Sequence, residues 1–108
     1  MIGLAWTYLI SAGLFEIGWP VGLKMAQTPG KTFAGVVFAG LCMICSGYLL
    51  FLAQRHIPMG TAYAVWTGIG AAGAFVLGIV LYGDPVGAIR IVAVLLIISG
   101  VMLLKLAH

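Results

Sequence analysis

Few residues in this chain could do acid, base or ligand chemistry, and one of them stands where charge is costly. Glu16 lies near the middle of a long apolar run, seven residues before that run ends at Leu23. A carboxylate at mid-bilayer costs roughly 2.5–3.5 kcal/mol on insertion scales, a cost met where the group faces a cavity, a partner or a proton path. No Lys or Arg falls in the middle of any apolar run, so no internal cation neutralises Glu16. Such a carboxylate can hold a proton, or lose it when a cation takes its place. One residue then serves two mutually exclusive ligands, and the exclusion couples their movements. Two paired chains would bring two Glu16 side chains to one cavity, to titrate as a coupled pair.

The remaining candidates point away from catalysis. Asp84, the only other acid, stands beside Pro85 in a turn and reads as solvated. Cys42 and Cys45 form a Cys-x-x-Cys inside an apolar run. They lack the strand–turn–helix setting of a redox pair and the second pair of a metal site, so packing is their expected role. His56 in a turn and His108 at the end read as solvated. With no Ser-His-Asp set, phosphate-cradling loop or metal-ligand cluster, neither an enzyme nor a metal or other cofactor is expected.

Composition defines the elements that must position Glu16. The 108 residues are 64% hydrophobic and 6% charged, with a mean hydropathy of +1.25. Soluble domains carry about a quarter charged residues, so seven charged side chains exclude one. Two cysteines exclude a secreted disulfide scaffold, and five basic residues are too sparse for a nucleic-acid footprint. Apolar runs cover about 2–23, 32–53, 60–81 and 87–106, separated by Gln27–Lys31, Gln54–Pro58 and Gly83–Pro85. A spanning helix needs about 20 residues, so the reading is all-α: one multi-pass membrane domain, residues 1–108, of four transmembrane helices. The first run lacks a basic leader and carries a glutamate, unlike a cleavable signal peptide. No glycine follows Met1, so a myristoylation signal is absent. Nothing alternates as the strands of a membrane barrel do.

Four spans divide the basic residues almost evenly. Arg55 and Lys105 fall on the side of the amino terminus; Lys24, Lys31 and Arg90 fall on the other. Orientation follows an excess of Lys/Arg in cytoplasmic loops, and two against three is hardly an excess. Either one orientation is weakly set, or the chain inserts both ways up and pairs antiparallel with itself. Four helices are too few to enclose a pathway and hold an internal inverted repeat, which an antiparallel homodimer would supply.

Sixteen glycines are more than twice average usage. In a bilayer, small residues let helix backbones approach closely. Gly35, Ala39, Cys42 and Ser46 make one small-residue stripe. Gly68-Ile69-Gly70 followed by Gly73 either packs tightly or lets its helix bend during a conformational cycle. Ala93 and Gly100, seven residues apart, mark a candidate dimer seam.

Two segments resemble the small multidrug resistance family. Gly13-Leu14-Phe15-Glu16-Ile17-Gly18-Trp19 with Gly22-Leu23-Lys24 is similar to its first helix, and Pro58 to Gly70, Pro-Met-Gly-Thr-Ala-Tyr-Ala-Val-Trp-Thr-Gly-Ile-Gly, to its third. The likeness covers nearly the whole chain, and Gly13-x-x-Glu16-x-x-Trp19 resembles the guanidinium exporter branch. It implies an antiparallel, dual-topology homodimer in the bacterial inner membrane that exchanges protons for a small organic cation. It further implies that Glu16 is the shared proton and substrate site, that Trp19 and Ser46 hydrogen-bond and orient it, and that Tyr63 and Trp66 line the pocket. Gly13 would leave room beside the substrate. The residue types suit these roles. Guanidinium fans its donors toward carboxylates in paired, charge-assisted bonds, and indoles offer cations a π face.

Pro20 departs from the branch, and the first turn is about one residue longer than usual and lacks Gly-Phe-Thr-Arg. Proline has no N–H for the carbonyl of Glu16, which leaves an acceptor free beside the carboxylate and predicts a kink. A pocket altered in this way would take substituted guanidines or small quaternary ammonium ions, and a broader exporter of such cations is the alternative within the family. From other classes, a rotary proton-ring subunit would have two helices, and an anion channel would not place an unpaired acid at mid-membrane.

Overall fold

The computed structural model describes residues 2–107; Met1 and His108 lie outside it, and with them the reading of His108. Four helices form: α1 (Ile2–Ala26), α2 (Thr32–Ala53), α3 (Met59–Tyr82) and α4 (Ala88–Ala107). They start and stop where local chemistry dictates. Gly30 (φ 84°) and Gly83 (φ 66°) take the left-handed conformation in the turns after α1 and α3, a backbone region that side chains with a Cβ rarely enter. Pro58 precedes α3, and its carbonyl accepts the N–H of Ala62 at 2.9 Å. α1 passes through Pro20 and continues three residues beyond Leu23, to Ala26. No breaker intervenes before the Gln27–Gly30 turn, and Lys24 in the last turn complements the negative end of the helix.

By length and composition, α2, α3 and α4 can each cross a membrane. α1 has 25 residues, about 38 Å at 1.5 Å per residue, ample for a hydrocarbon core of about 30 Å. It is less apolar than the other three among the described residues, carrying Glu16, Pro20 and Lys24. It is also the helix flanked by both α2 and α3. Its polar residues are thus carried between two neighbouring helices.

Small residues bring α1 and α2 together. The whole predicted stripe of Gly35, Ala39, Cys42 and Ser46 is buried. A Cβ on Gly22 would come within 2.7 Å of the backbone nitrogen of Ala39. The Cys42 sulfur fills the space over Gly18, and Gly35 rests against Ala26. Cys42 is thus a packing residue, while Cys45 is exposed, and both are free thiols. Lipid tails are as apolar as these side chains, so close dispersion contact holds such a seam rather than exclusion from water.

A second core forms at the end of the bundle holding the amino terminus. Ala5, Trp6 and Leu9 of α1 meet Ala53, Ile57, Ala62 and Val65 there, with Val101 and Leu104 of α4 packed on the cluster. Four of the basic side chains lie over aromatic rings near helix ends: Lys24 over Tyr82, Arg55 over Phe51, Arg90 over Phe75 and Lys105 over Trp6, at 5.2–5.9 Å. Amphipathic pairs of this kind suit a membrane–water boundary. α4 lies mainly along α3, touches α1 through Lys105 at Trp6, and buries none of its residues.

Candidate functional site

Glu16 reaches its place through an absence on the neighbouring helix. α1 and α3 run side by side, and Gly70 lies opposite Glu16. A Cβ on Gly70 would stand 2.6 Å from Glu16 Cγ and 3.3 Å from its Cβ. One turn earlier, Gly13 makes room for Ile69, whose side chain would meet a Cβ there at 2.8 Å. On the other side of Glu16, Ile17 packs into the gap at Gly73. The carboxylate is held in this seam with Oε1 buried and without a hydrogen-bond partner among the described residues. An unmade bond on a buried acceptor costs about 1–3 kcal/mol, more if charged, so such an oxygen marks a place that takes up a proton or a donor.

A hydrogen-bond chain lies one turn away. Trp66 Nε1 donates to Ser46 Oγ at 2.7 Å, and Ser46 Oγ donates to the Ala12 carbonyl at 2.7 Å. Ser46 is fully buried, so a single hydroxyl ties α1, α2 and α3 together. In α-helical geometry the Ala12 carbonyl also receives the N–H of Glu16. Ser46 therefore acts on the backbone that carries the glutamate. The resemblance implies a direct bond from Ser46 to Glu16, and within this chain both Ser46 bonds go elsewhere. Trp19 is half-buried, three residues beyond Glu16, and among the described residues it makes no hydrogen bond to the buried Glu16 oxygen. Tyr63 and Trp66 stack tilted, ring centroids 5.4 Å apart, with Tyr63 57% exposed.

The remaining predicted residues are scattered. α3 is continuous through Gly68 and Gly70. Gly68 faces Val101 of α4 while Gly70 faces Glu16, so the two glycines serve different neighbours. Pro20 lines a cavity further along the α1–α3 seam. Ala93 is exposed, and a Cβ on Gly100 would meet nothing within 4 Å. A groove of about 510 Å³ between α3 and α4, lined by Gly73, Val76, Ile98 and Met102 among others, has an apolar wall and no group to hold a cation. Among the described residues, no cluster of His, Cys, Asp or Glu could hold a metal ion. Two contributors escaped sequence reading: the Ala12 carbonyl, and Gly70 as the space for Glu16. Gly70 reads in the sequence only as part of a glycine cluster that packs or bends, although its place four residues after Trp66 sets it on that residue's helix face.

Residues 4–97 match the family model for Small Multidrug Resistance protein. The chain belongs to the small multidrug resistance family. Among its relatives, the Guanidinium exporter of Yersinia pseudotuberculosis is 43% identical over 104 residues, spanning 96% of this chain and 99% of the relative. The Guanidinium exporter of Escherichia coli K12 is also 43% identical, over 96% of this chain and 98% of its own. That of Citrobacter freundii is 40% identical over the same shares. Membership makes this small multidrug resistance protein a membrane transporter of small cations and not an enzyme. The site of such a protein must bind, shield and release a cation, which is work for a carboxylate among aromatic rings.

Proposed function

We propose that this chain is a proton-coupled exporter of guanidinium or small substituted guanidinium cations, with proton and substrate competing for Glu16. The observation that carries the reading is the Glu16 oxygen, buried and unpartnered in an apolar bundle. The relatives' name, Guanidinium exporter, indicates the cation. With a proton, Glu16 is neutral and at ease in hydrocarbon; without one, it receives the N–H groups of a planar cation through charge-assisted bonds. The two states exclude each other, so a proton gradient supplies the drive and no cofactor is required.

In this reading one chain offers half a chamber, one carboxylate with Trp19, Tyr63 and Trp66 as its wall, while the gap at Gly13 is taken by Ile69 and would open to substrate only if that side chain moved. We assign the complete site to an antiparallel homodimer in the bacterial inner membrane, acting as one domain per chain. The near-even split of basic residues supports dual insertion. The uncovered α4, with Ala93 and Gly100 on it, supports a pairing surface. Gly68 and Gly70 are the places where α3 can bend as the dimer alternates, and Pro20 tunes the pocket beside Glu16. The test is transport by purified protein in liposomes. Guanidinium should evoke proton-coupled current in wild-type protein and none in Glu16→Gln, and a current untouched by that substitution refutes the reading.

A further inference from the structure

The seam between α1 and α3 continues past Glu16. Gly13 meets Ile69, Glu16 meets Gly70 and Ile17 meets Gly73. The next turns, with Pro20, Val21 and Lys24 on one side and Ala74, Gly78 and Tyr82 on the other, part to leave a cavity of about 270 Å³ with Asp84 at its rim. That is several times the ~30 Å³ share of one liquid water. From Glu16 to Lys24 is eight residues along α1, or about 12 Å at 1.5 Å per residue. An ion held beside Lys24 stands about two helical turns from Glu16 along the same helix.

Three features of this cavity favour a cation. The Asp84 carboxylate has no basic partner within ion-pair distance among the described residues, and it folds back over Gly78, a position where a Cβ would displace it. Its place is set by the backbone: Asp84 N–H donates to the Gly78 carbonyl at 3.1 Å and Gly83 N–H to the Ile79 carbonyl at 3.2 Å. Both α1 and α3 end here, at Ala26 and Tyr82, and helix C-termini carry partial negative charge. The Tyr82 ring already takes a cation, with Lys24 Nζ 5.9 Å from its centroid, near the limit of cation–π attraction.

We propose that this cavity is an outer site for a small planar cation, held by the Asp84 carboxylate and the Tyr82 ring, where the arriving or departing cation displaces Lys24. The proposal rests on the reading of Glu16 as the inner site and adds a second station on the same seam. Lys24 then acts as a tethered competitor that keeps the outer site weak enough for the ion to leave.

The experiment separates the two stations. Isotope-labelled Glu16→Gln protein in lipid nanodiscs, with the inner carboxylate removed, is titrated with millimolar guanidinium chloride against matched sodium chloride and followed by NMR. Saturable shifts are expected at Tyr82, Gly83 and Asp84, absent when Asp84→Asn is added and half-saturated at lower guanidinium with Lys24→Gln. No saturable shift, or shifts indifferent to Asp84→Asn, overturns the outer site whatever the transport assay gives. In liposomes, Asp84→Asn alone should raise the KM for guanidinium about two- to five-fold at unchanged kcat, the scale of an exposed ion pair. Lys24→Gln should lower KM and serves as the second variant if Asp84→Asn does not fold; an unchanged KM in both overturns the proposal. Loss of current in Glu16→Gln is judged separately, so the inner-site reading can fail or stand on its own.

Discussion

Replacing Ser46 with alanine tests how the bundle aims its aromatic wall. Ser46 is wholly buried and makes two bonds of 2.7 Å, accepting from the Trp66 indole and donating to the Ala12 carbonyl. Ala12 retains its helical partner when the hydroxyl is lost, so little penalty arises there. The Trp66 N–H has no such reserve. A half-buried donor left unmade costs about 1–3 kcal/mol, roughly a 5- to 150-fold loss in the population holding Trp66 in its present rotamer. The expected result in liposomes is a KM for guanidinium raised by about tenfold or more, with a lower midpoint of thermal unfolding. The decisive comparison uses Trp66→Phe, which removes the donor. If the orphaned indole causes the loss, Ser46→Ala in that background should be nearly neutral, with a coupling of about 0.5–3 kcal/mol in the cycle. Additive effects of the two substitutions would refute the reasoning and leave Ser46 as filler between helices.

Three further expectations follow from the same seam. Gly70→Ala places a Cβ 2.6 Å from Glu16 Cγ, so transport should fall at least tenfold in protein that still folds; Gly47→Ala, with nothing within 4 Å, should be silent. Guanidinium affinity should weaken as pH falls, because protonated Glu16 carries no charge to pair with it, by at most about tenfold per pH unit for a single competing proton. Isothermal titration at a series of pH values measures this slope, and a flat profile would show that proton and cation do not share the site. Added lysines in the first turn should bias insertion to one orientation and lower activity until a partner fixed the other way is coexpressed; full activity from one fixed orientation would exclude the antiparallel pair.

Local rules were enough for the helices. Twenty or more apolar residues between Gly/Pro-bearing turns can satisfy their backbone in a bilayer only as helices, so four elements and their rough limits are written in the chain. Helical spacing likewise identified the α2 stripe, and every one of Gly35, Ala39, Cys42 and Ser46 is buried. The isolation of Glu16 was equally plain, since a carboxylate without a cation needs no structure to look costly.

Spacing along one helix, however, names a face and says nothing of which residue on the next helix will meet it. Rotation and slide between helices come from interlocking side chains, which are long-range facts. That interlock gave Ser46 to Trp66 and Ala12 instead of Glu16, and turned Gly70 from a mere weak point in α3 into the gap that admits the carboxylate. Asp84 shows the same limit: the chain marks it as a solvated turn residue, and only the folded α3 end sets it at the rim of a cavity beside Lys24, Tyr82 and Pro20. The seven charged residues are legible from composition and their depth from their positions along the apolar runs; which of them share a seam depends on helix packing, because contact between distant segments is decided by shape and not by order along the chain.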